Sequence, residues 1–118
     1  MFARDDGRFD DALDLLRQAI GIDRGRGMSG HALTHISRMA SVYARSGEHR
    51  RAAQLLAATE ALLDGMGSEL PWWGKRRHAE TLDLLRAAGF DGADLEQALA
   101  SGRALSLDDA VAVAVAEA

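Results

Sequence analysis

The chain has 118 residues, a formal net charge of -4 and no cysteine. That length holds one domain with a small core. The missing cysteine excludes disulfides and thiolate metal sites, and the acidic balance argues against a nucleic-acid or anionic-membrane surface. Met1–Asp6 is charged and lacks an apolar run, so no signal peptide is read. No stretch approaches the ~20 apolar residues that span a membrane, and a cytoplasmic location is expected.

Apolar residues recur with the helical period through almost the whole chain, and six helices are predicted. The first runs over Arg8–Ile22, with Phe9, Ala12, Leu13, Leu16, Ala19 and Ile20 on one face. Three glycines in residues 23–30 break it, and Ser29 is placed to cap the second helix, Gly30–Arg45. Ser46-Gly47 ends that helix, and the third follows over Glu48–Met66. Pro71 suits the first turn of a fourth helix, where its missing N–H costs nothing; Gly89 followed by Phe90 is a C-terminal stop. A short fifth helix covers Ala93–Ser101, and Ser106 with Asp109 is spaced to cap a sixth, Leu107–Ala116. The Val-Ala alternation of residues 110–116 has the period of a strand. Helix is preferred there, because a cap precedes it, alanine disfavours strands and no other strand exists for pairing.

Gly7, Phe9, Ala12 and Leu16 recur as Gly47, His49, Ala52 and Leu56, forty residues on, the period of a helical repeat. Ile36, Met39, Ala40 and Tyr43, then Gly47, Ala52 and Leu56, resemble the tetratricopeptide repeat. Small residues stand where paired helices come nearest and large ones fill the gaps beside them. Thr59 departs from the usual small residue near the end of that motif. The resemblance implies an all-α superhelix with repeats over residues 7–66 and C-terminal helices and a cap over 71–118. The bland alternative is an ordinary helical hairpin.

The C-terminal half, closing on Gly102-Arg103-Ala104-Leu105-Ser106-Leu107-Asp108-Asp109-Ala110-Val111, resembles the tail of bacterial signal-transduction ATPases and of LuxR-type or AfsR-like transcriptional regulators. The resemblance covers about residues 7–116. No Gly-x-x-x-x-Gly-Lys-Ser/Thr loop is present, so this would be the tail without its ATPase or its DNA-binding head.

Candidate chemistry is sparse. His31 and His35 have a metal-compatible helical spacing but no third ligand nearby in sequence, and read more simply as half-exposed surface. His49 takes the aromatic position of the repeat, and His78 shares a side with Leu82 and Leu85, so both are expected to pack. Asp5, Asp6, Asp10, Asp11 and Asp14 form a solvated acidic face. Residues 72–78, WWGKRRH, could suggest anion binding. Packing is the preferred reading, with Trp72 near Leu82 and Leu85, Trp73 near Leu84, and the helix sandwiched between layers. Trp73, Arg76 and Arg77 remain a candidate ligand or partner surface. No nucleophile–base pair, phosphate cradle, cofactor motif or buried carboxylate pair is evident, so no enzymatic role is expected.

The expected function is therefore a protein-interaction or regulatory module, bound to a protein partner or to upstream domains of a parent chain. A small-molecule sensor, marked by Arg, Tyr and Trp converging on one pocket, and a stand-alone dimerising protein are the rivals. The chain starts on the second helix of a repeat, so Phe9, Leu13, Leu15, Leu16 and Ile20 form a candidate homodimer interface.

Overall fold

In the computed structural model the described residues are 2–25, 27 and 29–116; the side chains of residues 2–8, 24 and 29, Asp5, Asp6 and the expected cap Ser29 among them, lie outside the description. The architecture is all-α and repeat-like: α1 (Phe2–Gly25), α2 (Ser29–Ser46), α3 (His49–Gly65), α4 (Trp72–Ala87), α5 (Gly92–Arg103) and α6 (Leu107–Val115). The Val-Ala segment is helical, and no strand occurs among the described residues.

The α2–α3 hairpin is the centre. Ile36, Met39, Ala40, Tyr43, Ala52 and Leu56 are all buried in it. The turn needs Gly47, whose φ of 94° lies in the left-handed region. That conformation lets the Glu48 N–H donate to the Tyr43 carbonyl at 2.9 Å, satisfying a carbonyl the helix end would orphan. Thr59 is tolerated in the core because its hydroxyl donates to the Leu55 carbonyl at 2.8 Å.

The remaining helices dock onto this hairpin. α1 packs on α2, α4 chiefly on α2, and α5 on α3. Leu95, Ala98 and Gly102 are the buried side of α5. A methyl group on Gly102 would lie 2.8 Å from the carbonyl carbon and 2.9 Å from the Cα of Gln54, and closer still to the carbonyl oxygen. Gly102 therefore sets how near α5 can approach α3.

Three expectations need correction. Gly7 does not repeat the turn at Gly47: α1 continues through it, six residues beyond the expected start. Glycine permits a turn but does not force one, so a single hairpin carries the full repeat pattern. Pro71 is the residue before the first turn of α4, with its carbonyl accepting from Gly74 and Lys75. α6, expected within the C-terminal cap, turns back onto α3, α2 and α1 rather than stacking on α4 or α5. It is held there through its own C-terminal carbonyls. The Tyr43 hydroxyl donates to the Ala114 carbonyl, and Arg51 donates to that of Ala116 at 2.8 Å while its guanidinium stacks on the Tyr43 ring. Cations at a helix C-terminus are favoured by the helix dipole.

Candidate functional site

α4 is fastened to the hairpin by polar groups as much as by apolar ones. Its buried residues are Gly74, His78, Thr81 and Leu85. His78 is 3% exposed, with Nδ1 3.0 Å from Glu60 Oε1 on α3 and Nε2 2.7 Å from Ser37 Oγ on α2. The hydrogen bond from His78 holds the Glu60 carboxyl below the usual glutamate range, with the charges of His78 and Arg103 adding to it against the opposing effect of burial. The ionised Glu60 accepts the Nδ1 proton, and Nε2 and the Ser37 hydroxyl form the second bond, with the donor set by the proton on the ring.

Hydroxyl, imidazole and carboxylate are linked here in the order of a nucleophilic triad. Ser37 is only 1% exposed, however, so a substrate carbonyl cannot approach its oxygen. The chain of bonds clamps three helices together. Sequence reasoning missed it, because Ser37 and His78 are far apart in the chain and only the burial of His78 was visible.

The opposite side of α4 is open. Trp72 and Trp73 are 70% and 52% exposed and meet edge-to-face at 5.9 Å, and Leu84 is 37% exposed. The expectation that both tryptophans pack between layers is thus overturned. Trp72 stands thirteen residues before Leu85, about 140° around the helix from the buried side. α4 is covered on one face only. Arg76 pairs with Glu80 at 3.1 Å, and Lys75 with Glu69 at 2.9 Å. Arg77 has no carboxylate partner among the described residues. A shallow groove of about 150 Å³ runs between α2 and α4, lined by Ser41, Ala44, Arg45, Arg77, Glu80, Thr81 and Leu84.

The other candidates separate. On α1, Leu13 and Ile20 are spent in the core, and Leu16 and Phe9 are partly buried, so these four do not form a free interface. Leu15, at 67% exposure, and Ile22, at 57%, are what α1 leaves open. His35 Nε2 lies 3.1 Å from Asp23 Oδ2, at ion-pair distance but without hydrogen-bond alignment, while His31 is exposed. No cluster of three metal-ligating side chains occurs among the described residues. His49 packs against Phe90 at 5.8 Å, as its repeat position suggested. Tyr43 borders a cavity with Arg17 and Arg51, but neither tryptophan reaches it. Among the described residues no helix is long and apolar enough to cross a membrane.

No family model, curated protein or solved structure matches this chain.

Proposed function

We propose that the chain is a protein–protein interaction module, the C-terminal part of a signal-transduction ATPase or transcriptional regulator. The observation that carries the reading is the open face of α4. Trp73 and Leu84 lie exposed on a helix whose other side is firmly clamped to α2 and α3. Exposed aromatic and aliphatic side chains on a rigid element are what a protein partner uses as anchors. The sensor alternative has less support: among the described residues the cavity that gathers Tyr43 with Arg17 and Arg51 holds no tryptophan. Leu15 and Ile22 on α1 support a second contact, with an identical chain.

The test supplies the chain in trans to the ATPase–repeat part of a regulator of this class. Trp72 and Trp73 are its two tryptophans, so their emission should shift to the blue on binding. Trp73→Ala with Leu84→Ala should weaken the complex about tenfold or more. Absence of a complex by size-exclusion chromatography and by fluorescence would refute the proposal.

A further inference from the structure

We infer that the face shared by α2 and α4 docks an acidic peptide segment carrying an apolar side chain. The inference rests on the interaction-module reading and names the chemistry of the partner.

On α2, Arg38, Ser41 and Arg45 are spaced by three and then four residues, so they share one face. On α4, Trp73, Arg77 and Leu84 share another by the same period. Ser41, Arg45, Arg77 and Leu84 meet along the groove between the two helices. The charges on this face are unbalanced. Elsewhere five cations are matched, Arg17 with Asp14, Arg51 with Glu48, Lys75 with Glu69, Arg76 with Glu80 and Arg86 with Asp83, while Arg50 lies over the Phe90 ring and Arg103 acts on Glu60 from a distance. Arg38, Arg45 and Arg77 have no carboxylate partner among the described residues. Glu80, the one acid lining the groove, is engaged by Arg76. A chain with a net charge of -4 thus presents a positive strip where two helices meet.

Guanidinium groups favour carboxylates because their paired N–H donors fit both oxygens. Trp73 and Leu84 beside them suit an apolar anchor. The groove, at about 150 Å³, is smaller than the ~300–1,000 Å³ pockets that enclose small ligands. It suits a segment laid across it.

The experiment is fluorescence anisotropy of the intact chain with labelled probes. One is a peptide of about twelve residues, rich in Glu and Asp with central Leu and Phe. The others are the same peptide with Lys in place of each acid, and oligo-dT. The acidic peptide should bind, weaken as salt rises from about 50 to about 300 mM, and lose about tenfold in affinity or more with Arg45→Glu plus Arg77→Glu. Trp73→Ala should weaken it too. Neither arginine has an ion-pair partner to lose, and an unchanged melting temperature verifies that the double variant folds. No binding of the acidic peptide, equal binding by the double variant, or equal binding of the Lys peptide or oligo-dT would overturn the inference. A complex with the ATPase–repeat partner that persists in the double variant would also overturn it, while leaving the module reading intact. Loss of that complex from the unaltered chain refutes the module reading itself.

Discussion

Replacing Gly102 by alanine tests how the fold is assembled. The added methyl would sit 2.8 Å from the Gln54 carbonyl carbon and 2.9 Å from its Cα, against 3.4–4 Å for ordinary contact. The obstacle is main chain in the middle of α3, so a side-chain rotation does not relieve it. α5 must move out by roughly 0.5 Å or more along the seam that buries Leu95 and Ala98, giving up dispersion contacts there. Two effects oppose each other. Alanine is favoured over glycine inside a helix by about 1 kcal/mol, whereas overpacking a tight interface costs about 1–3 kcal/mol. The clash with backbone places the steric cost toward the upper end, for a net loss of about 1–2 kcal/mol. Gly21 in α1 is the control, because a Cβ there meets nothing within 4 Å. Gly21→Ala should gain about 0.5–1 kcal/mol from propensity alone. Urea and thermal unfolding read both: Gly102→Ala should melt about 4–8 °C below the parent and Gly21→Ala a few degrees above it. A Gly102→Ala protein as stable as the parent would mean that α5 does not pack on α3 in this way.

Ser106→Ala should cost about 1 kcal/mol, since the Ser106 hydroxyl accepts from the Asp109 N–H at 3.1 Å at the start of α6; an unchanged urea midpoint contradicts the cap. Ala40→Leu should destabilise by about 1–3 kcal/mol, because Ala40 is fully buried between α2 and its neighbours. The Glu60 carboxyl lies below the ordinary value of 4.5 in the folded chain. Its contribution is therefore present above pH 4.5 and fades as pH falls through the lower folded value. The stability difference between the parent and Glu60→Gln should follow that course. It should amount to only a few tenths of a kcal/mol, because Glu60 is largely exposed to water; a difference that grows on acidification would contradict the assigned bond. Leu15→Glu with Ile22→Glu should turn a dimer formed through α1 into a monomer by light scattering. A parent chain already monomeric at micromolar concentration, or a dimer unaffected by the changes, would remove α1 as an interface.

What could be read in advance follows from the range over which each signal acts. The α2–α3 hairpin was legible because Ile36, Met39, Ala40 and Tyr43 repeat with the helical period and Gly47 interrupts it, all within one short stretch. The Ser106 cap was legible for the same reason: donor and acceptor are three residues apart. Gly102 was not. By local propensity a glycine there signals only a weak helix position, and its role appears only against the backbone of Gln54 on another helix. Likewise the fold-back of α6 depends on Tyr43 and Arg51 reaching its final carbonyls, a pairing that no periodicity announces. The docking face divides along this line. On α4, Arg77 has Trp73 four residues before it and Thr81 four after. Its one acidic neighbour at helical spacing, Glu80, is also four residues from Arg76, which takes it. The surplus charge of Arg77 was thus readable from the helix alone. That Arg45 lines the same groove was not, because α2 and α4 are brought together by Ser37 and His78, side chains that each look unremarkable within their own helices.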